Sequence, residues 1–138
     1  RLPTSSNGFG KGSSWLKDAN LPQGIHSITL DGSIFALEGK GTLHKFDTGK
    51  KSEFLATIDP PLLQATKIWT SPTSAFLYIL DPQGRRLVVV KKDEARMMIQ
   101  YTSSLFTGLK DFNVDEKQKK ISLLTSDGIL EFAAEHIK

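Results

Sequence analysis

The sequence predicts an all-β protein built from three consecutive copies of one four-stranded unit. Three observations lead to this prediction. Landmark residues recur at a fixed offset, short apolar runs alternate with glycine-containing turns, and segments of helix-forming composition are short and few. The chain has 138 residues, of which 38% are hydrophobic and 24% charged. This length and composition are typical of a single folded domain.

The internal repeat has a period of about 43 residues, which is the length of one four-stranded β-propeller blade. The columns that keep this offset are Gly41, Gly84 and Gly128; Leu37, Leu80 and Leu124; Ile34, Leu77 and Ile121; and Ile25, Ile68 and Phe112. The fold class is therefore predicted as all-β, with three four-stranded propeller blades that amount to half of a six-bladed β-propeller.

The first blade is expected at about residues 25–58 and the second at about 67–101. Strands of the first are predicted at 25–30, 33–38, 42–46 and 52–58. Strands of the second are predicted at 66–70, 76–80, 86–90 and 96–101. Each central hairpin closes on a glycine, which is expected to supply the positive φ of a tight turn. Residues 87–90 are apolar at successive positions, which predicts a strand covered on both faces.

The third blade, at about residues 111–133, shows only three strands, at 110–114, 121–124 and 129–132. The unassigned segment 13–17, which contains Trp15, is expected to supply the fourth strand and so to close the last blade. The alternative is that Trp15 only anchors an N-terminal arm. Residues 1–12, rich in Ser and Gly, are predicted to be a linker or tether, and residues 13–138 the propeller domain.

Composition excludes several classes of function. The sequence contains no cysteine, which excludes a disulfide framework, a thiolate nucleophile and cysteine-ligated metal. The formal net charge of +3 is too small to require a nucleic-acid or membrane partner. The longest apolar run, Phe76–Leu80, is far shorter than the ~20 residues of a membrane helix. No membrane insertion is expected within the chain, and the sequence alone fixes no compartment.

The second blade carries a family resemblance. Residues 77–89 consist of an apolar run, Asp81, a turn, Arg86 and a second apolar run. Residues 31–37 are similar to the corresponding part of the preceding blade. This pattern resembles bacterial β-propeller blades of the NHL and lactonase-like kind. More narrowly, residues 100–103 with 112–115 resemble the C-terminal propeller of membrane-anchored proteins that carry a PP2C-like phosphatase domain. The resemblance implies an extracytoplasmic portion of a membrane-anchored bacterial signalling protein, and no catalytic residue carries over.

Four residues on the predicted innermost strands are candidates for a ligand site in the central channel: His26, Trp69, Asn113 and Asp115. The single carboxylate among these residues provides few of the oxygen ligands that a calcium ion requires. The histidines lack metal-binding spacing as well. No metal, no cofactor and no catalytic residue is therefore predicted. The alternative to a ligand site is a polar channel that holds only water.

Basic residues cluster at Arg85, Arg86, Lys91 and Lys92. On blade rims they could form one patch for an acidic partner, and the alternative is an ordinary solvated surface. Few aromatic residues are interleaved with them, so a nucleic-acid partner is disfavoured.

The leading hypothesis for function is a non-enzymatic β-propeller interaction or sensor domain that binds a protein or a small ligand at the channel face. The alternatives are a lactonase-like hydrolase with a channel metal and an RNA-binding propeller. Because three blades are too few to close a ring, a homodimer of six blades is expected. Its interfaces are expected on the apolar faces near Ile34 and Leu37 and near Ile121 and Leu123. The alternative is that this chain is half of a larger propeller whose other three blades lie on its N-terminal side.

Overall fold

A computed structural model describes residues 4–5, 8–17 and 22–138 of the chain. Within these residues the structure consists of thirteen β-strands and no helix, which confirms the all-β prediction. The first two strands, β1 (Thr4–Ser5) and β2 (Gly8–Phe9), pair antiparallel within the segment predicted as a linker. Residues 1–3 and 6–7 of that segment lie outside the described residues, so the linker assignment stays a prediction.

The remaining strands form three antiparallel sheets of four, four and three strands, each in sequence order. The first sheet contains β3 (Ile25–Leu30), β4 (Ile34–Glu38), β5 (Leu43–Asp47) and β6 (Lys50–Ser52). The second contains β7 (Lys67–Trp69), β8 (Phe76–Asp81), β9 (Arg86–Lys91) and β10 (Arg96–Thr102). The third contains β11 (Asp111–Asp115), β12 (Lys120–Thr125) and β13 (Gly128–Ala133).

The middle sheet is buried on both faces. Successive side chains of a strand point to opposite faces, and in β8 Leu77 and Ile79 enter a core shared with the first sheet. Tyr78 and Leu80 enter a second core shared with the third sheet. Residues 87–90 of β9 alternate between the same two cores and are fully buried. The covered strand predicted from four successive apolar residues is confirmed.

The glycines of the hairpin turns serve two different purposes. Gly41 and Gly128 have φ values of 90° and 136°, as expected for turns that need the left-handed region. Gly84 does not, and the left-handed residue of its turn is Arg85, with φ of 51°. A Cβ on Gly84 would lie 2.5 Å from the Asp81 Oδ2 atom. The prediction of positive φ is wrong at this position, because Gly84 is required there by a close approach.

The fourth strand of the first sheet is shorter than predicted. A strand was expected at 52–58, but the observed strand β6 ends at Ser52, and the chain then leaves the first sheet. Thr57 instead forms an isolated parallel bridge with Arg96 of β10. Phe54 packs on the first core, with its ring edge-on to Phe35 at a centroid distance of 5.2 Å. The apolar side chains therefore cover the core from a connection between sheets.

The expected closure of the third sheet by residues 13–17 is wrong. These residues form no strand, and their backbone lies against the first sheet. The Lys17 amide donates to the Gly49 carbonyl at 2.7 Å, in the β5–β6 turn. A Cβ on Gly49 would lie 2.4 Å from the Trp15 carbonyl oxygen, so a glycine is needed for this contact. The backbone of residues 15–17 thus lies on the first sheet, and the third sheet has three strands in the described part of the chain.

Candidate functional site

The innermost strands β3 and β7 lie side by side, and an ion pair links β7 to β11. The Thr70 amide donates to the Thr29 Oγ1 atom at 2.9 Å, and that hydroxyl donates to the Thr70 carbonyl at 3.2 Å. On the other side of β7, the Lys67 Nζ atom lies 2.6 Å from the Asp111 carboxylate of β11. These contacts place the sheets in the arrangement of consecutive propeller blades.

The side chains of β7 do not point to a common channel. Because neighbouring positions of a strand face opposite sides, Ile68 packs in the first core. Trp69 packs at the edge of the second core, with its ring 5.6 Å from that of Tyr78. The prediction that Trp69 lines the channel is therefore corrected, since this side chain faces the third sheet.

The other three predicted ligand residues lie on two different strands, His26 on β3 and Asn113 and Asp115 on one face of β11. His26 is exposed, and a Cβ on Gly39 would lie 2.7 Å from its Nε2 atom. Asn113 is exposed on the face of the third sheet that points away from the second core. Asp115 accepts a hydrogen bond from the Gln118 amide at 2.9 Å in the β11–β12 turn. Ligand binding by these residues stays a prediction.

The predicted basic patch is not one surface. Arg85 is exposed, but Arg86 is buried. Lys91 and Lys92 follow at the other end of β9, and a six-residue strand is roughly 17–20 Å long. The prediction that all four residues form one patch is therefore wrong, because β9 separates the two pairs and Arg86 does not reach solvent.

The two lysines have acidic partners nearby. The Lys91 Nζ atom lies 2.6 Å from the Glu94 carboxylate, at the exposed β9–β10 turn. The Lys92 Nζ atom lies 2.6 Å from the Asp31 carboxylate of the first sheet, with both side chains mostly buried. Lys92 thus connects two sheets rather than presenting an isolated positive charge.

Arg86 and Asp81 form a buried ion pair across the β8–β9 hairpin. The Arg86 Nε atom donates to Asp81 Oδ2 at 3.0 Å. Its Nη2 atom donates to the carbonyls of Pro60 and Pro61 at 2.9 and 2.7 Å, and its Nη1 atom to Gln100 at 2.9 Å. The arginine therefore ties the hairpin to the connection that enters the second sheet. The Asp and Arg of the sequence signature are explained by this structural role.

Hydrogen bonds keep the Asp81 carboxylate charged. Burial raises the pKa of Asp81, but the Gln64 amide, the Arg86 side chain and the Leu63 and Gly84 amides together lower the pKa below its ordinary value. The Gln64 and Leu63 amides donate at 2.9 and 3.2 Å. The carboxylate is thus fully partnered in an otherwise apolar region.

A second polar network joins the second and third sheets to the C-terminal segment. The Glu116 carboxylate accepts from the Tyr78 hydroxyl at 2.8 Å and from the Ser74 hydroxyl at 2.6 Å. His136 lies between two tyrosines, with Nε2 2.9 Å from the Tyr78 hydroxyl and Nδ1 2.7 Å from the Tyr101 hydroxyl. A neutral imidazole with its proton on Nε2 donates to Tyr78 and accepts from Tyr101. No spacing in the sequence indicates this network, whose members come from four separate segments.

The His136 network is expected to make folding sensitive to mild acid. Burial lowers the pKa of His136 despite the nearby Glu116 charge. Below a pH of about 6.5 the unfolded chain therefore binds a proton that the folded chain resists, and stability falls as the pH falls. The melting temperature of the wild type should drop more between pH 7.5 and 5.5 than that of His136→Gln. His26→Gln is the control and should keep the wild-type slope; equal slopes in all three proteins would contradict this role.

The first sheet has an open face only along β3, on the side that points away from the cores. Ala36 of β4 and Phe46 of β5 lie on the same side but are buried, each with 4% exposure. Ile28 and Leu30 of β3 are 58% and 56% exposed there, and Ile34 of β4 is half-buried on the same face. Leu37, which the sequence placed on the open face, lies in the first core instead. That part of the prediction is wrong, because Leu37 occupies the alternate position of its strand.

The third sheet has the other open face. Leu124 and Ile129, which are directly opposite each other in β12 and β13, are 40% and 73% exposed. They line a shallow groove together with Asn113. Ile121 and Leu123, expected on this face, are fully buried in the second core. A charge at Ile121 would therefore disrupt the fold rather than an interface.

No three histidine, aspartate or glutamate side chains in the described ranges are placed to hold a metal ion together. Among the same residues, the structure contains no helix with the length and apolar character needed to cross a membrane. The sequence also supplies no cysteine ligand.

Solved structures similar to this chain are β-propeller proteins. A chain of the nidogen/laminin complex matches 99% of this chain over 54% of its own length, with a TM-score of 0.69 and 14% identity. Hydrazine synthase of Kuenenia stuttgartiensis matches 90% over 37% of its length, with a TM-score of 0.65 and 13% identity. BamB of Moraxella catarrhalis matches 75% over 29% of its length, with a TM-score of 0.55 and 15% identity.

These likenesses show the fold alone, because the sequence identities are low. The chain spans between 29% and 54% of the length of these three structures. No protein-family model matches the sequence, and no curated protein does. The propeller repeat predicted from the sequence is thus supported by the structural neighbours.

Proposed function

We propose that this chain is a non-enzymatic β-propeller module that binds proteins through the open faces of its terminal sheets. The observation that carries the proposal is the contrast between the sheets. The middle sheet is buried on both faces, whereas Leu30 and Ile129 are 56% and 73% exposed on the outer faces of its neighbours. Exposed apolar side chains grouped on one face are typical of interaction surfaces.

The proposed occupant of each open face is the complementary face of a second copy. Inside the chain, sheets already pack face to face through two apolar cores. Propeller rings typically contain 4 to 8 blades, so the three larger sheets among the described residues are too few for a ring, and those of two copies are enough. Closed two-fold assemblies are the commonest homo-oligomers. The first sheet of one copy would then meet the third sheet of the other.

The cellular setting of the module is part of the same proposal. The blade signature resembles NHL-type propellers, and residues 100–103 and 112–115 resemble propellers linked to PP2C-like phosphatase domains. This resemblance supports a role as the interaction part of a larger bacterial signalling protein, outside the cytoplasm. The buried roles of Asp81 and Arg86 agree with a structural rather than a catalytic origin of the signature.

Light scattering after size exclusion tests the proposed assembly at micromolar concentration. The wild type is expected at twice the single-chain mass of 15.3 kDa. Leu30→Glu and Ile129→Glu should each reduce the mass to that of one chain, since a charge would be buried without a partner. Leu55→Glu is the matched control, because Leu55 is 78% exposed and lies outside both open faces. A wild type that elutes as a soluble single chain would contradict the proposal.

A further inference from the structure

Among the described residues, the third sheet has no counterpart of the outermost strand that the other two sheets possess. The first and second sheets end in β6 and β10, whereas the third ends at β13. Within the described residues, no strand pairs with the outer edge of β13. An unpaired strand edge presents a row of backbone donors and acceptors, which is a template for another strand.

The register of the β12–β13 hairpin shows which backbone groups face outward. The Ala134 amide donates to the Lys119 carbonyl at 2.8 Å, so these two residues form a hydrogen-bonded pair of the ladder. Such pairs alternate along an antiparallel ladder. Leu130 and Phe132 therefore direct their backbone groups toward β12. The residues between them direct theirs away from β12.

Three residues of β13 thus point their backbone groups to the outer edge: Ile129, Glu131 and Ala133. All three are exposed. The Ala133 carbonyl accepts from the Glu135 amide at 3.1 Å. The edge therefore offers three outward amides and two outward carbonyls for strand pairing.

The apolar surface beside this edge indicates the kind of side chain that fits. Phe132 is half-buried at the rim of the second core, and its ring stacks on that of Phe106 at 5.8 Å. Leu130 lies beside it at the same rim. On the same flank, Leu105 is 63% exposed and lines a groove with Ile129 and Leu130. An added strand would cover these side chains with its own apolar positions.

The middle sheet supplies a template for the missing strand. Its outermost strand β10 pairs antiparallel with β9, and the alternate residues Ile99 and Tyr101 pack at the edge of the second core. A strand of this kind is extended, seven residues long and apolar at alternate positions. Such a segment matches both the backbone groups and the apolar rim of the β13 edge.

We propose that the outer edge of β13 binds an extended, alternately apolar peptide segment of a partner protein by strand addition. Backbone hydrogen bonds to Ile129, Glu131 and Ala133 would hold the segment, and its apolar side chains would pack on Leu130 and Phe132. The edge binds through outward backbone groups of β13, whereas the proposed assembly uses side chains on the outer face of the sheet, with Ile129 common to both. The inference therefore does not depend on the proposed assembly of two copies.

A fluorescein-labelled peptide with the sequence of residues 94–104 is the probe, titrated into the full chain and followed by fluorescence anisotropy. Saturable binding is expected. Glu131→Pro removes an outward amide and spares the ladder with β12, so it should weaken binding at least about tenfold. Glu131→Thr is the matched control, because it loses the carboxylate but keeps the amide, and it should bind like the wild type.

Two further arms separate strand addition from other modes of binding. Two peptides are N-methylated, one at the odd and one at the even positions. The peptide whose methyl groups block the amides that face β13 should not bind, and the other should bind as the unmodified peptide does. Peptide at saturation should slow amide exchange of Ile129 and Glu131 at least about tenfold. Leu30→Glu should bind the peptide as the wild type does, whatever its oligomeric state. Absent binding, undiminished binding by Glu131→Pro or equal effects of the two N-methylated peptides would each overturn the inference.

Discussion

Replacing Arg86 by methionine is expected to lower the free energy of unfolding by about 3–5 kcal/mol. Arg86 is buried and donates to Asp81, Gln100 and the carbonyls of Pro60 and Pro61. Methionine fills much of the same volume but donates nothing. The Asp81 carboxylate would then remain buried without its cationic partner, which is the costly way to break a buried ion pair.

Arg85→Met is the matched control for this prediction. Arg85 is the neighbouring residue, carries the same charge and is exposed. Its replacement should change stability by less than about 0.5 kcal/mol, as is usual for surface substitutions. Urea denaturation at pH 7 measures both. A loss below about 1 kcal/mol for Arg86→Met would show that the pair contributes little and that the sequence signature has another cause.

Leu77→Ala should cost about 2–5 kcal/mol, because it opens a cavity in the first core. Leu77 of β8 is fully buried in the core between the first and second sheets. Leu80→Ala should cost a similar amount from the second core, since Leu80 faces the third sheet. Leu55→Ala is the exposed control and should be nearly neutral.

The comparison between these leucine variants tests the sandwiched position of the middle sheet. If only one of Leu77→Ala and Leu80→Ala lowered the free energy of unfolding, one face of the middle sheet would be open to solvent in solution. The measurement is the midpoint of urea denaturation at constant slope. Large effects at both positions are the expected result.

The strands could be predicted from local patterns because turns and apolar runs are encoded within a few residues. Leu77–Val90 shows two apolar runs joined by a short polar turn, and the hairpin β8–β9 follows from that alone. The covered middle sheet could be predicted for the same reason, since apolar residues at successive positions require two cores. The repeat offset then extended these conclusions to the neighbouring sheets.

Segments that pair over long distances could not be predicted in the same way. Residues 52–58 and 13–17 have strand-like composition, yet one crosses to the second sheet and the other lies on the first. Their partners are chosen by the position of whole sheets, which no local pattern records. The assignment of Leu37 and Ile121 to open faces failed because a single-residue error of parity moves a side chain to the other face.

The candidate site was the least predictable part of the molecule. Trp69 was expected to face a channel, but its side chain packs at the edge of the second core, against Tyr78. The network around His136 was missed because it joins four segments that are distant in sequence. Its histidine has no partner at a recognisable spacing, so only the folded chain shows the connection.

The claim that two copies join through unlike faces is tested most directly by mixing two variants, Leu30→Glu and Ile129→Lys, in equal amounts. The mass of the mixture is measured by light scattering after size exclusion. Each variant alone carries a charge at both junctions of a two-copy ring. A mixed pair has one junction without substitutions, and its other junction brings an acidic and a basic substitution together.

The separate variants are expected at the single-chain mass of 15.3 kDa, and the mixture at twice that mass. A mixture that stays at the single-chain mass, while the wild type forms pairs, would contradict head-to-tail closure of the ring. A wild type that does not pair would contradict assembly through the open faces altogether.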